Sequence, residues 1–372
     1  GKPREEINNL RPISHLNVDY KIQTKVIANR MEKTMHNIIS PIQTAYLKGR
    51  NVSDNLRLLD DIMQIMDYKK EPGFICGVDM QKAFDSISWK YLLRCLEEFG
   101  FGKQFQKFVR TIYNKPMSCI LVNGTTTNYF ELERGVRQGD CFSCFLFILG
   151  MEPLIQAINE DSRIKGIVVQ KEEIKGILFA DDGNFFVKDV KSIKVIFEVL
   201  KKIEDASGLK VNVDKTEIMK LGTMRNQDLI IQVGRTTLQI RDKITICGIT
   251  FSYDRSEMNR QNLDHRLTIL KSQLQMWRQR WLTLKGRITI TKSLGMSQII
   301  YPTQMMYTSN EFLKEVEKSI YKFIWNRQET AKTPSDKIKR QLLQEEKEKG
   351  GLKSPNVEAQ ANALRFIWIK KY

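Results

Sequence analysis

The chain has 372 residues, of which 41% are hydrophobic and 9% aromatic, a composition that supports a packed core and excludes wholesale disorder. Lys and Arg number 60 against 43 Asp and Glu, which gives a formal net charge of +17. We therefore expect a polyanionic partner, nucleic acid rather than a membrane. The alternative is that the excess of Lys only keeps the protein soluble.

We expect no signal peptide and no membrane-spanning segment. The six scattered cysteines are typical of reduced thiols in a nuclear or cytoplasmic protein.

The front of the chain is predicted to mix helices and strands. Helical spacing of apolar residues predicts helices over 17–39 and 53–68, the second with Ser53 as its N-cap. A β-prone apolar run over 74–79 ends in Asp79. The next predicted elements are helices over 88–99 and 103–114, strands over 117–122 and 127–133 around Asn123-Gly124, an apolar helix over about 142–158, and a hairpin over 174–187.

The remainder of the chain is predicted to become entirely helical. A helix over 191–206 ends at Gly208. Short strands follow near 211–220, 229–233, 236–239 and 244–252. From about residue 256 the pattern is helical, basic and aromatic, so an α+β front portion gives way to an α-helical back portion near residue 255.

Asp181 and Asp182 lie between two short apolar runs, which predicts a β-hairpin with both acids at its tip. Neighbouring carboxylates repel each other and are kept close most readily when a divalent metal binds them. With Asp79 they would form a cage for two Mg²⁺ ions, which activates a 3′-hydroxyl and stabilises a pyrophosphate leaving group. The alternative is that Asp79 caps the next helix and that the Asp pair forms a solvated turn.

Seven blocks of sequence resemble, in order, the reverse transcriptases of non-LTR (LINE-type) retrotransposons, and the resemblance covers nearly the whole chain. The blocks are Arg11–Ser14 with Leu16–Lys25, Gln43–Arg50 with Asp54–Leu56, Asp79–Asp85 with Trp89, Gly135–Asp140, Phe179–Asp182, Gly208–Asn212 with Lys215 and Thr216, and residues 277–287 with 349–355. The resemblance implies an RNA-directed DNA polymerase. Asp79 and Asp181 would ligate the two metal ions, and Asp182 would complete the charge cluster.

The resemblance implies an α+β right-hand polymerase with an antiparallel-sheet palm, helical fingers and an α-helical thumb. The fingers would comprise residues 1–70, the palm with the catalytic carboxylates 71–255, the thumb 256–330 and connecting helices 331–372. Because Gly1 lies inside the fingers block, we expect incomplete fingers, and an endonuclease region preceding them in the intact element. The implied partners are an RNA template, a DNA primer or nicked target DNA, dNTPs and two Mg²⁺ ions, for which Mn²⁺ can substitute. A ribonucleoprotein in the nucleus and cytoplasm is expected.

Five further residues receive nucleotide-binding roles from the resemblance. Phe84 would lie beneath the sugar and exclude a 2′-hydroxyl, although a core aromatic residue is the alternative. Gln138 can hydrogen-bond near the incoming nucleotide, and Gly139 permits close approach of the backbone. Arg11 can bind triphosphate oxygens bidentately. Lys215 resembles a residue near the leaving pyrophosphate, with a solvated surface Lys as the alternative.

The helical back portion interleaves basic residues with Trp277 and Trp281. This pattern suits a thumb that follows the backbone of a duplex. An ordinary amphipathic arrangement is the alternative, and we expect the Trp residues to be mainly in the core.

The sequence departs from the family pattern at two places. Cys141 and Cys144 replace two prolines, which stiffen a loop and fit the first turn of a helix. Ala45-Tyr46 replaces the usual Gly-Phe. An inactive RNA-binding fragment or relic is therefore one alternative function. A second is an RNA-dependent RNA polymerase or a group II intron-type enzyme, against which Phe84 and the form of the Phe179–Asp182 block argue.

Overall fold

The computed structural model describes Glu6, residues 10–326 and residues 336–371, the side chains of 368–371 excepted. The start of the predicted fingers (1–5 and 7–9), residues 327–335 around the predicted end of the thumb, and the side chain of Trp368 lie outside the described residues. The chain divides into two compact units, Gly1–Cys247 and Gly248–Tyr372. This division does not separate fingers from palm, so those names stay predictions.

Helices and strands both occur in the described residues, which confirms the α+β class. The helices are α1 (Val18–Ile38), α2 (Val52–Lys69), α3 (Ala83–Ser86), α4 (Trp89–Glu98), α5 (Lys103–Ile112), α6 (Cys141–Glu160), α7 (Val190–Ser207), α8 (Arg255–Asn259), α9 (His265–Arg278), α10 (Leu284–Ile290), α11 (Met296–Met305), α12 (Asn310–Ile324), α13 (Arg340–Gln344) and α14 (Val357–Lys371). The strands are β1 (Pro72–Val78), β2 (Met117–Ser118), β3 (Leu121–Val122), β4 (Thr125–Thr126), β5 (Phe130–Glu131), β6 (Ile167–Val169), β7 (Glu172–Ile174), β8 (Gly176–Phe179), β9 (Asp182–Val187), β10 (Glu217–Gly222), β11 (Gln232–Val233), β12 (Thr236–Thr237), β13 (Gln239–Arg241), β14 (Lys243–Ile246) and β15 (Ile249–Ser252).

The first unit is built on a five-stranded sheet in the order β13-β10-β1-β9-β8. Strand β1 pairs antiparallel with β10 on one side and with β9 on the other, β9 pairs antiparallel with β8, and β13 pairs parallel with β10. The central position of β1 explains its apolar sequence, because side chains such as Phe74 and Cys76 are fully buried. The sheet is therefore mainly antiparallel, with the Asp79 end of β1 beside the β8–β9 hairpin.

Helix α6 is the most apolar helix of the first unit and contacts α1, α4 and α7. By length and composition alone it could cross a membrane, but 72% of its most apolar stretch is buried within the protein. Side chains such as Leu146, Phe147 and Ile148 are fully buried. The helix therefore serves as a core helix, and its N-terminal end carries the loop that precedes Cys141.

Two local details of the first unit, the N-cap of α2 and the hairpin over 117–133, differ in part from the sequence predictions. Helix α2 is capped by Asn51, whose side-chain oxygen accepts a hydrogen bond from the backbone N–H of Ser53, so the prediction of Ser53 as the N-cap is wrong. The predicted long hairpin over 117–133 consists of two short ladders, β2–β5 and β3–β4. Its tip at Asn123-Gly124 is confirmed, with φ of +49° and +84°.

The second unit begins with β15 and continues with helices α8 to α14 around a core of its own. Val316, Ile320 and Tyr321 of α12 are almost fully buried in that core. Trp277 and Trp325 pack against it, as expected, but Trp281 is fully exposed, so the expectation of a core position is wrong for this residue. Trp281 lies in residues 279–283, between the end of α9 and the start of α10, and so belongs to neither helix.

Candidate active site

The two neighbouring acids lie where the sequence predicted them, at the tip of the β8–β9 hairpin. Phe179 pairs with Asp182, which leaves Ala180 and Asp181 as the turn. Ala180 has a φ of +57°, a left-handed conformation that is unfavourable for a residue with a Cβ. The tight turn places Asp181 half-buried and Asp182 exposed at the first position of β9.

The third carboxylate reaches this turn through the sheet register. Val78, the last residue of β1, pairs with Gly183, so Asp79 continues beside Asp182. The backbone N–H of Asn212 donates to the Asp79 carbonyl oxygen at 2.8 Å. The Lys215 Nζ lies 3.3 Å from Asp79 Oδ2 in a partly exposed ion pair. Asp79 and Lys215, 136 positions apart in sequence, are thus neighbours.

Electrostatics joins the three carboxylates into one cluster. Burial, followed by the negative charges of Asp181 and Asp79, raises the pKa of Asp182 to about 6, while Arg11 and the thiol of Cys247 act in the opposite direction. Burial also raises the pKa of Asp181, Arg11 lowers it, and Asp79 raises it further. Because Asp182 is exposed, solvent screens part of this repulsion. The positive charge of Arg11 therefore acts on both Asp181 and Asp182.

The donor chemistry of this cluster fits a divalent cation. Carboxylate oxygens are the ligands that Mg²⁺ prefers, and a cation would relieve the repulsion that raises the pKa of Asp182. Within the described parts of the chain, no group of three or more His, Cys, Asp or Glu side chains is arranged to hold a metal ion. The ammonium group of Lys215 instead supplies positive charge at Asp79.

Phe84 is a half-buried residue packed against the apolar core of the first unit. Its ring stacks on Phe147 with a centroid distance of 4.5 Å and meets the Tyr46 ring edge-on at 6.3 Å. The Phe84 carbonyl oxygen accepts a hydrogen bond from Val136 N–H at 2.6 Å. The half-buried ring therefore has core contacts while its backbone holds the loop that carries Gln138.

Gln138 and Gly139 lie beside the Arg11–Ser14 block. The Ser14 N–H donates to the Gln138 carbonyl oxygen at 3.0 Å, and Gln138 Nε2 donates to Asp85 Oδ1 at 3.1 Å. Gly139 has a φ of +100°, a conformation that favours glycine. The Gln138 amide is therefore engaged with Asp85, and a nucleotide would have to compete for it.

Side-chain hydrogen bonds that the sequence did not reveal fix the loop over residues 135–140. Arg137 Nη1 donates to the Tyr20 Oη at 2.7 Å, and the Tyr20 hydroxyl donates to Asp140 Oδ2 at 3.1 Å. Asp140 also caps α6, because its Oδ1 accepts from Phe142 N–H at 3.2 Å. Burial and the nearby Asp140 charge raise the pKa of Tyr20, which keeps the hydroxyl protonated as a donor. These contacts fix the loop between α1 and α6, where Cys141 replaces a family proline.

Tyr46 is a second residue that sequence reasoning assigned no role. Its φ is +62°, which is unusual for an aromatic residue, and its side chain is 43% exposed. Burial of its hydroxyl, followed by the charges of Cys144 and Asp181, raises the pKa of Tyr46 to about 12. Tyr46 therefore lies near both the Phe84 ring and Asp181. The Ala45-Tyr46 departure from the family pattern was the only signal in the sequence.

The register of the sheet and the shared electrostatics group Asp79, Asp181 and Asp182 into one carboxylate cluster, and two-metal sites of polymerases are among the sites that act on phosphoryl groups. The sequence model for "Reverse transcriptase (RNA-dependent DNA polymerase)" matches residues 2–251. The chain belongs to this reverse transcriptase family, whose members generally depend on divalent metals.

The relatives confirm the predicted LINE type. The "Transposon TX1 uncharacterized 149 kDa protein" of Xenopus laevis is 26% identical over 86% of this chain and 24% of its own length. The "Retrovirus-related Pol polyprotein from type-2 retrotransposable element R2DM" of Drosophila melanogaster is 27% identical over 55% of this chain and 19% of its own length. The chain thus spans about a quarter or less of these two relatives.

The solved structures to which this chain is similar in backbone course include telomerases. Apo telomerase from Candida tropicalis has a TM-score of 0.44 and 10% identity, covering 82% of this chain and 56% of its own. Telomerase from Candida albicans, solved with a fragment of telomeric RNA, has a TM-score of 0.40 and 12% identity, covering 82% of this chain and 51% of its own.

Proposed function

We propose that this chain carries out RNA-directed DNA synthesis, in which dNTPs are added to a primer 3′-hydroxyl, as part of a longer LINE-type retrotransposon protein. The observation that carries the proposal is the register pairing of Val78 with Gly183, which brings Asp79 beside the Asp181-Asp182 turn. Family membership over residues 2–251 supports the same activity. Three neighbouring carboxylates would hold divalent cations, which neutralise the negative charge that phosphoryl transfer concentrates.

Two Mg²⁺ ions, or Mn²⁺ in their place, would be held by Asp79 and Asp181, with Asp182 completing the negative cluster. When bound, they would neutralise the attacking and leaving oxygens of the transferred phosphoryl group. The ammonium of Lys215 would have to leave Asp79 Oδ2 for a metal to bind there. We propose that it then turns to the leaving pyrophosphate.

The remaining residues of the site would orient the nucleotide. Arg11, whose charge acts on both hairpin acids, would bind triphosphate oxygens with its planar guanidinium. Phe84 would occupy the space of a ribose 2′-hydroxyl and so favour dNTPs. Gln138 would exchange its hydrogen bond to Asp85 for one near the nucleotide. The positive φ of Gly139 supports close approach of the backbone there.

The proposed partners are an RNA template and a DNA primer or nicked target DNA. The net charge of +17 supports a polyanionic partner. We propose fingers over 1–70, a palm over 71–255, a thumb over 256–330 and connecting helices over 331–372. An endonuclease region in the intact element and a nuclear and cytoplasmic ribonucleoprotein belong to the same proposal.

The direct test is dNTP incorporation on a poly(rA)/oligo(dT) template with Mg²⁺. Asp181→Ala should abolish synthesis and leave RNA binding nearly unchanged. Asp205→Ala is the matched control, because Asp205 is an exposed acid on α7 that pairs with Lys201. Synthesis by the Asp181 variant at the wild-type rate would refute the assignment.

The second candidate is an inactive RNA-binding fragment. It is favoured by the ion pair between Lys215 and Asp79 and by the lack of a ready three-ligand group within the described residues. Tight, salt-sensitive RNA binding without incorporation by any variant would support this candidate over the enzyme.

A further inference from the structure

Gln43 lies in the segment between α1 and α2 and is completely buried. Its side-chain Nε2 donates to the Ala180 carbonyl oxygen at 3.1 Å. Its Oε1 accepts from the Ala180 N–H at 2.9 Å and from the Ala45 N–H at 3.1 Å. One amide side chain thus binds both the N–H and the carbonyl of Ala180, the residue immediately before Asp181.

The peptide that Gln43 holds is the strained one. Ala180 has a φ of +57°, and such a conformation persists only where the surroundings over-determine it. In this conformation the N–H and carbonyl of Ala180 do not continue the β8–β9 ladder, which ends at the pair Phe179 and Asp182. Gln43 supplies the hydrogen-bond partners that the ladder no longer provides.

Gln43 is itself fixed at the edge of the sheet. The Leu178 N–H donates to the Ile42 carbonyl oxygen at 2.8 Å, and the Thr44 N–H donates to the Leu178 carbonyl oxygen at 3.0 Å. These bonds form a parallel bridge between Gln43 and Leu178. The backbone of Gln43 is therefore registered against β8, two residues before Ala180.

Arg50 ties the same segment to the end of α1. Its guanidinium donates to the carbonyl oxygens of Ile39 at 2.9 Å, Ser40 at 2.6 Å and Gln43 at 2.8 Å. A continuous set of hydrogen bonds thus runs from the C-terminus of α1 through Arg50 and Gln43 to Ala180. The position of the acidic turn is coupled to a helix of the predicted fingers.

We propose that Gln43 is a positioning residue, which holds the Ala180 peptide so that the Asp181 carboxylate stays beside Asp79. This inference rests on the proposed function for its effect on synthesis. A primary amide suits this role because the end of one side chain carries both a hydrogen-bond donor and a hydrogen-bond acceptor. Met has a similar length and offers neither.

The test compares Gln43→Met with Asn55→Leu, each an apolar replacement of similar size. Asn55 is also buried, and its Nδ2 donates to the Leu178 carbonyl oxygen at 2.8 Å and to Thr44 Oγ1 at 2.9 Å, without touching Ala180. Both variants remove at least two buried hydrogen bonds, so both should lower Tm. Only the Gln43 variant should release the acidic turn.

For synthesis, we expect Gln43→Met to lower kcat by about 10- to 100-fold and to raise the half-saturating Mg²⁺ concentration, the range seen when groups that orient a metal site are removed. The KM for dNTP and the affinity for RNA should stay within about threefold of wild type, as for substitutions outside the binding contacts. Asn55→Leu should keep kcat within about threefold despite its lower Tm. Equal losses of kcat in both variants, or an unchanged kcat in Gln43→Met, would overturn the proposal.

Hydrogen exchange separates this inference from the proposed function, because it requires no activity. In a peptide covering residues 177–182, Gln43→Met should speed amide exchange by about tenfold or more, because the protected Ala180 N–H loses its acceptor. Gln43→Glu has the same shape, and complete burial keeps its carboxyl protonated. One oxygen can then still accept from the Ala180 N–H while the OH donates to the Ala180 carbonyl, so exchange should stay slow. Slow exchange in Gln43→Met, or fast exchange in Gln43→Glu, would overturn the proposal even if the wild-type chain synthesises no DNA.

Discussion

Asp182→Asn should stabilise the metal-free protein at neutral pH, because it removes a charge that is disfavoured first by partial burial of the carboxyl group and then by repulsion from Asp181 and Asp79. The pKa of Asp182 is raised from 3.8 to about 6, first by burial and then by Asp181 and Asp79. At about 1.4 kcal/mol for each pKa unit, a rise of about two units corresponds to roughly 3 kcal/mol as an upper bound. Asp182 is exposed, so solvent screening reduces the expected gain to about 1 kcal/mol.

The sign of the pH dependence follows from the direction of the shift. Between about pH 4 and pH 6 the folded protein binds more protons at Asp182 than the unfolded chain does. Wild-type stability from this group therefore falls as the pH rises through that window, and Asn lacks the effect. The gain of Asp182→Asn should be present at pH 7.5 and mostly lost at pH 4.5.

The measurement is urea unfolding of wild type and Asp182→Asn at both pH values in EDTA, followed by addition of Mg²⁺. We expect the variant to be more stable at pH 7.5 by about 1 kcal/mol, or about 2–4 °C in Tm for a unit of this size. Added Mg²⁺ should stabilise wild type more than the variant. A variant no more stable than wild type at pH 7.5, or a gain that is the same at both pH values, would show that the folded protein does not disfavour the charge of Asp182.

Three further substitutions test other parts of the account. Tyr20→Phe removes the hydroxyl that links Arg137 to Asp140, and it should lower the free energy of unfolding in urea by about 1–3 kcal/mol. An unchanged free energy of unfolding would show that these two hydrogen bonds do not stabilise the fold. Arg50→Met removes three hydrogen bonds to carbonyl oxygens and should cost about 2–4 kcal/mol, with a loss under 1 kcal/mol contradicting the anchor role. Phe84→Ala should increase rNTP use relative to dNTP use in primer extension, and an unchanged ratio would favour a purely structural ring.

Local sequence patterns were sufficient to predict the elements that carry the acids. The apolar run before Asp79 and the runs around Asp181-Asp182 indicate strands by their own composition. The order of the strands in the sheet could not be predicted in this way, because no local pattern indicates that β1 lies between β9 and β10. The grouping of Asp79 with the hairpin acids was therefore a hypothesis from metal chemistry that the resemblance supported, and the register of β1 against β9 is what places them side by side.

Contacts between residues far apart in sequence explain most of what sequence reasoning missed. Tyr20 and Asp140 are 120 positions apart, and Gln43 and Ala180 are 137 apart, so no period or spacing connects them. The N-cap of α2 failed for a local reason, since Asn51 and Ser53 are both good caps and the backbone geometry selects Asn51. The strained backbone of Tyr46 and Ala180 also has no signature in the residue types.

The most direct test of the central claim is single-turnover primer extension on an RNA template of defined sequence with Mg²⁺ and dNTPs. We expect a DNA product that is complementary to the template and ends at the template end, and no product from Asp181→Ala. A product of unrelated sequence, or the same product from Asp181→Ala, would contradict the claim that these carboxylates perform RNA-directed DNA synthesis.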